Sequence, residues 1–391
     1  MIRKLVDLEL RGKTVFLRVD FNVPIAGDKV TEPHRIDSAL PTIRLILAKA
    51  KKIVIASHLG RPDGQVISQY SLAPVREHLQ QALNEPVMLA PDCIGAEVER
   101  MVRDDQYRVI LLENLRFHKE EEKNDKDFSR ALASLAEVYV DDAFGAAHRA
   151  HASIAAMTGF FKVKAAGLLM QKELDYLAPI LTDPRKPFVT ILGGAKVSDK
   201  IGVIKNLLPK VSSLLIGGAM AYTFLKAKGA AIGKSLVEAD KVSLAANLMS
   251  DAAAHGVKMI LPIDHVTGDA DKKNPETENE ISAERMGLDI GPQTAALFAE
   301  EVKTAKLVLW NGPVGLFEVP PYDQGSRRLA NALADNYPRV VSIIAGGDTV
   351  AAVTAAGVAS RITHLSTGGG ATLEFLEGRE LPGIKALEDS E

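Results

Sequence analysis

Cysteine is almost missing from this chain: of 391 residues only Cys93 carries a thiol. One cysteine excludes an intramolecular disulfide framework and a cysteine-rich zinc site, and it fits a reducing compartment. An excess of charge of either sign is missing as well. Forty-seven Lys and Arg face 50 Asp and Glu, for a net charge of −3, which argues against general nucleic-acid binding while leaving room for a local basic cleft. No stretch approaches the roughly 18 consecutive apolar residues of a membrane span. The start, Met1-Ile-Arg-Lys-Leu-Val-Asp-Leu-Glu-Leu10, is charged throughout and has no apolar signal core. The expectation is a cytoplasmic protein with no membrane partner. No Gly-x-Gly-x-x-Gly fingerprint comes after a strand-like run, which counts against a nicotinamide enzyme.

What is present is a regular alternation of short apolar runs and helical patterns, the signature of α/β architecture with largely parallel sheets. The runs are Thr14–Val19, Ile53–Ala56, Val87–Leu89, Val109–Leu112 and Val138–Val140, then Phe188–Leu192, Ser213–Ile216, Met259–Pro262, Leu307–Trp310, Val341–Ile344 and Thr363–Leu365. The length exceeds what one hydrophobic core fills, so two domains are expected. The divide falls in a helix-like segment over Lys164–Thr182, closed by Asp183-Pro184 and Pro187.

The two halves differ in the residues placed after their strands. The first half has arginines there: Arg18, Arg35, Arg61, Arg116 and Arg149. A guanidinium fork suits phosphate or carboxylate, and the strand ends of a parallel sheet converge on one crevice. Any one of these arginines alone also reads as an ordinary surface or ion-paired residue. The second half has glycines: Gly193-Gly194, Gly217-Gly218, Gly312, Gly346-Gly347 and Gly368-Gly-Gly370. Such turns make a rim of free N–H groups suited to a nucleotide's phosphates, although a βα turn can also need glycine only to relieve crowding. Lys196 and Lys200 share a face if one helix includes both. Asp348 is a plausible magnesium ligand or, equally, a helix N-cap.

Two motifs are weighed against metal and phosphate binding. Gly229-Ala-Ala-Ile-Gly233-Lys-Ser235 resembles a P-loop but has three residues between its glycines where four are needed. His148 and His151 lie three apart, yet Arg149 between them disfavours a cation.

Taken together, Arg18-Val-Asp-Phe-Asn-Val-Pro24, Ser57-His-Leu-Gly-Arg-Pro62, Glu113-Asn-Leu-Arg-Phe117, His148-Arg-Ala-His151, Leu192-Gly-Gly-Ala-Lys-Val-Ser-Asp-Lys200, Trp310-Asn-Gly-Pro-Val-Gly-Leu-Phe-Glu318, Gly346-Gly-Asp-Thr349 and Ser366-Thr-Gly-Gly-Gly-Ala371 resemble the phosphoglycerate kinase family, in its order and across essentially the whole chain. The resemblance implies two doubly wound parallel-sheet (Rossmann-like) domains joined by a hinge helix, a bilobal monomer. Residues 1–168 would bind 3-phosphoglycerate, residues 169–376 would bind the nucleotide, and the tail from about 377 to 391 would pack on the first domain. It implies reversible phosphoryl transfer between 1,3-bisphosphoglycerate and magnesium ADP. By the same resemblance Asp20, Asn22, Arg35, His58, Arg61, Arg116 and Arg149 match the substrate positions. Gly194, Ala195, Lys196, Lys200, Gly217, Gly218, Leu288, Asn311, Pro313, Glu318, Gly347, Asp348 and Thr349 match the nucleotide positions. Arg35, Lys196, Gly346 and Gly369 match the catalytic positions, and Asp348 the Mg2+ ligand. Two glycines at 346–347, and Ala219 after Gly217-Gly218, depart from family members that carry a third glycine.

Overall fold

The apolar runs become strands because a parallel sheet covered by helices on both faces buries every side chain of its strands. A computed structural model describes residues 2–388. In its first compact unit, Met1–Asp175 with Glu380–Glu391, the sheet is built from β1 (Thr14–Arg18), β2 (Lys52–Ala56), β3 (Met88–Leu89), β4 (Val109–Leu111), β5 (Val138–Asp141) and β6 (Lys164–Ala166). They are ordered β3-β4-β2-β1-β5-β6 and paired parallel throughout. Phe16 on β1 is in register with Val54 on one side and Tyr139 on the other. The chain reverses its direction of progress across the sheet between β1 and β5, so that crevice is the switch point where such sheets bind ligands.

Helix His34–Lys49 shows how the packing aims a functional side chain. Its buried residues Ile36, Ala39, Leu40, Ile43 and Ile46 recur at helical spacing and face the core. Arg35, one position off that stripe, is left on the ligand side, where it reaches Asp20 just beyond the end of β1.

The second unit, Tyr176–Arg379, contains β7 (Phe188–Leu192), β8 (Ser213–Ile216), β9 (Lys258–Ile260), β10 (Leu307–Asn311), β11 (Val341–Ala345) and β12 (His364–Leu365). Their order, β9-β8-β7-β10-β11-β12, is that of the dinucleotide-binding α/β folds, with the switch point between β7 and β10. Trp310 on β10 is fully buried in this unit's core.

The helix expected over Lys164–Thr182 begins later, at Leu168. Lys164–Ala166 is instead an edge strand, paired with Tyr139–Asp141. Lys-Ala-Ala has no β-preference of its own, and the pairing is long-range. A three-stranded antiparallel sheet of His265–Gly268, Glu276–Glu278 and Met286–Ile290 was likewise not legible as strands. Near the C-terminus, helix Pro382–Leu387 joins the first unit: the Gly383 N–H donates to Ala147 O at 2.8 Å and Lys164 Nζ to Ala386 O at 2.7 Å.

Candidate functional site

In the first unit the charged groups gather at the C-terminal ends of β1, β2, β4 and β5. Asp20 is nearly buried, and its Oδ2 accepts from Arg35 Nη1 while its Oδ1 accepts the Asn22 N–H at 3.2 Å. Burial pushes the Asp20 carboxyl up, but the His58 ring, Arg35, Arg18 and the Asn22 N–H outweigh it and hold it below its ordinary value. Asn22 Oδ1 accepts the Gly60 N–H at 2.9 Å, and Arg116 Nη1 donates to Gly60 O at 2.6 Å. Gly60 thus ties two candidate substrate residues together. Glycine is required there: its φ is +63°, and a Cβ would lie 2.4 Å from the Tyr70 ring. Arg61 is exposed, and Arg149 Nε donates to His148 Nε2 at 3.1 Å.

Arg18 plays a different part from the one its place after a strand suggested. Its side chain is fully buried. Nε donates to Ser153 Oγ at 2.8 Å, Nη1 to Val19 O, and Nη2 lies 3.2 Å from His58 Nδ1. Ser153 Oγ in turn donates to Glu121 Oε1 at 2.6 Å. Arg18 is therefore a support; of the other four arginines Arg61 is exposed, Arg35 and Arg149 are partly exposed, and Arg116 is buried with its Nε 3.2 Å from Glu122 Oε1. Sequence reasoning had no signal for Glu121 and Ser153, which meet Arg18 only in the fold.

Burial, together with the charges of Arg18, Arg116 and Arg149, pushes the His58 imidazole well below its ordinary value, against the pull of Asp20. His58 is neutral at pH 7. Arg18 can only donate, so His58 Nδ1 accepts and the ring proton sits on Nε2, 4.0 Å from Asp20 Oδ1. It offers a ligand an N–H rather than a charge. His151 is pushed down to about 3 by burial and by Arg116, Arg18 and Arg149. The same field opposes a metal ion at the histidines flanking Arg149.

The second unit presents a cavity of about 400 Å³ at its switch point. Gly194, Ala195, Lys196, Lys200, Asn311, Gly312, Pro313, Gly346, Gly347, Asp348, Thr349 and Gly369 all line it, as does Asp199, which sequence reasoning had not singled out for the site's chemistry. Two turns interlock at its floor. The Gly193 N–H donates to Asn311 O at 3.0 Å and the Gly194 N–H to Pro313 O at 2.9 Å. A Cβ on Gly193 would meet Pro313 O at 2.1 Å, and one on Gly312 would meet Gly193 O at 2.2 Å. Close approach of two backbones explains these glycines, and it leaves the cavity walled by main chain.

Lys196 is exposed and precedes the helix; a 3-10 turn, Ser198–Lys200, leads into helix Ile201–Leu207. The shared helical face expected for the two lysines is therefore not formed, and they enter the cavity from a turn and from its end. Lys200 Nζ donates to Asn311 Oδ1. Burial lowers the Lys200 ammonium, opposed by Asp199, Asp348 and Glu377. Asp348 sits in the first turn of helix Gly347–Ala355, beside Thr349, whose Oγ1 accepts the Gly312 N–H at 2.7 Å.

Gly217, Gly218, Leu288 and Glu318 lie outside the cavity lining. Gly218 abuts it, since a Cβ there would lie 2.6 Å from Gly194 N. Leu288 O accepts the Leu316 N–H at 2.8 Å, and Glu318 lies two residues further on. The alanines that stand where a third glycine is common are unstrained: Ala219 has φ −64° and Ala345 ends β11 in extended conformation. In the P-loop look-alike, Gly233 has φ +51° and a Cβ there would lie 2.3 Å from Arg285 O, and Lys234 pairs with Glu284 at the surface.

Residues 5–379 match the family described as "Phosphoglycerate kinase". The chain is similar to the phosphoglycerate kinases of Koribacter versatilis, 53% identical over 97% of this chain and 98% of that one, and of Acidobacterium capsulatum, 52% identical over 98% of each. Its structure is similar to that of phosphoglycerate kinase from Coxiella burnetii, with a TM-score of 0.90 and 38% identity over 99% of both chains.

Proposed function

The chain belongs to the phosphoglycerate kinase family, and on that premise we propose that it transfers a phosphoryl group reversibly between 1,3-bisphosphoglycerate and ADP, giving 3-phosphoglycerate and ATP. The observation that carries this reading is the pair of switch-point sites. One is lined by guanidinium groups around an ionised Asp20. The other is a glycine-walled cavity that holds Lys196, Lys200 and Asp348.

In the ATP-consuming direction a carboxylate oxygen of 3-phosphoglycerate attacks the γ-phosphorus, the bond to the β–γ bridging oxygen breaks, and ADP leaves. A carboxylate is already ionised at pH 7, so no base has to take a proton. The barrier is lowered instead by positive groups around the transferring oxygens. Arg35, oriented by Asp20, supplies one. Lys196 supplies a second, and the main-chain N–H groups at Gly346 and Gly369 supply neutral donors. Arg61, Arg116, Arg149 and the His58 Nε2–H hold the 3-phosphate end, and Asn22 with Asp20 the carboxylate and hydroxyl end. Lys200, fixed on Asn311, reads the nucleotide's terminal phosphates. Gly217, Gly218, Leu288, Pro313 and Glu318 would border the adenosine.

Magnesium fits the residues present: Asp348 is an exposed carboxylate, and magnesium at a phosphate uses one or two carboxylates with water and phosphate oxygens, the neighbouring main-chain N–H groups being left for the phosphate. When bound it would neutralise charge on the phosphate oxygens. The chain passes from one unit to the other within helix Leu168–Thr182. In-line transfer needs both ligands aligned and water excluded, so Leu168–Leu181 acts as a hinge that closes when both are bound. Among the described residues no helix is long and apolar enough to cross a membrane. The family supports a reading in which the chain acts on small molecules, as a monomer in the cytoplasm.

A coupled assay with 3-phosphoglycerate and magnesium ATP tests the reading. The unmodified protein turns over, and Lys196→Ala and Arg35→Ala each lose about 10²–10³-fold in kcat with unchanged circular dichroism. Absence of turnover in the unmodified protein overturns it.

A further inference from the structure

Outside both switch-point sites, three side chains of different donor chemistry meet. Asp92 and Cys93 lie in the loop after β3, and His118 comes directly after the 3-10 turn Leu115–Phe117. One ligand atom from each lies within 4.8 Å of the other two. His118 Nε2 is 2.6 Å from Asp92 Oδ1, which also accepts the Cys93 N–H at 2.6 Å. Cys93 Sγ donates to Glu113 O at 2.9 Å.

We propose that Asp92, Cys93 and His118 form a binding site for a thiophilic divalent cation of the zinc(II) type, distinct from any magnesium at Asp348. An oxygen–sulfur–nitrogen set is what zinc selects, whereas magnesium demands oxygen alone. Three protein ligands leave the fourth tetrahedral position to water. Bonds of about 2.0–2.1 Å to nitrogen and oxygen put those donors about 3.3 Å apart. The Asp92–His118 pair need open by only about 0.7 Å from its 2.6 Å contact.

Access and field both favour the ion. The Asp92 side chain is 49% exposed and that of His118 23%, so a cation enters from solvent at these two, while Cys93 lies fully buried beneath them. The Asp92 carboxylate attracts a dication, and binding exchanges one proton for one metal–sulfur bond: the thiol proton leaves to solvent and the sulfur lone pair goes to the metal. Occupancy would also fix the turn that carries Arg116, two residues before His118.

The test is a titration of the reduced, metal-free protein with cobalt(II), followed by zinc(II). One equivalent of cobalt develops a thiolate-to-cobalt charge-transfer absorption, and zinc bleaches it. The absorption is lost in Cys93→Ser, persists in Asp348→Asn, and needs about 10–100-fold more cobalt in His118→Gln and Asp92→Asn, each variant being checked for native circular dichroism. Should Cys93→Ser fail to fold, the other two variants carry the test. Failure of the unmodified protein to develop the absorption, or unaltered cobalt affinity in both His118→Gln and Asp92→Asn, overturns the proposal. None of these readouts depends on kinase activity.

Discussion

Asp142 Oδ1 accepts the N–H of Leu169 at 2.8 Å. It also accepts that of Met170 at 3.1 Å, so the carboxyl just past β5 caps the helix through which the chain leaves the first unit. Burial pushes this carboxyl up to about 7, against the lowering pull of the Thr42 hydroxyl and the Met170 and Leu169 N–H groups, and Asp141 adds to the rise.

Linkage sets the sign of the pH dependence. A carboxyl near 3.9 when unfolded and about 7 when folded stabilises the fold fully below pH 3.9, and that contribution is lost as pH rises through 7. At about 1.4 kcal/mol per pH unit the loss is about 4 kcal/mol at most. Asp142→Asn keeps the capping oxygen and removes the titration. Urea denaturation at several pH values will show a flatter stability profile between pH 4 and 7 in the variant; parallel profiles refute the prediction.

Arg18 and Glu121 are both fully buried and joined through Ser153. Arg18→Met leaves Glu121 without its compensating charge and costs about 3–5 kcal/mol. Adding Glu121→Gln recovers part of that cost. A double-mutant cycle by chemical denaturation measures the recovery, and additive losses would show that the two are not coupled.

Gly193→Ala forces a methyl into Pro313 O at 2.1 Å, which requires the interlocked turns to part. A loss well above about 1 kcal/mol in stability is expected, with weakened ADP binding by calorimetry. Gly347→Ala has open space around the new methyl and no left-handed φ, and will stay within about 0.5 kcal/mol of the parent.

His58 and His151 remain neutral through the physiological range because burial and nearby arginines disfavour their protonation. Ring resonances measured by NMR will not titrate between pH 6 and 8 in the ligand-free protein. A midpoint in that interval for His58 would mean that the Arg18 donor geometry is wrong.

Much of the fold was legible because strands buried on both faces read as unbroken apolar runs, such as Phe16–Leu17 with Val15 or Ile343–Ile344. The glycine turns and lysines of the second site were legible for a related reason: in an α/β unit the ligand residues come after the strands, so position along the chain marks position in the crevice. Local sequence thereby determined most strands of the two parallel sheets and most residues of the candidate sites. Tertiary structure alone decided that Lys164–Ala166 pairs at a sheet edge, since its partner is Tyr139–Asp141 and not a neighbour in the chain. It alone made Arg18, one of the strand-end arginines, the support of His58, because Ser153, 135 residues away, takes up its guanidinium. It alone brought Asp92 and Cys93 to His118 across the β4 strand. In each case the deciding energy is a hydrogen bond or charge interaction between distant residues, which no local pattern encodes.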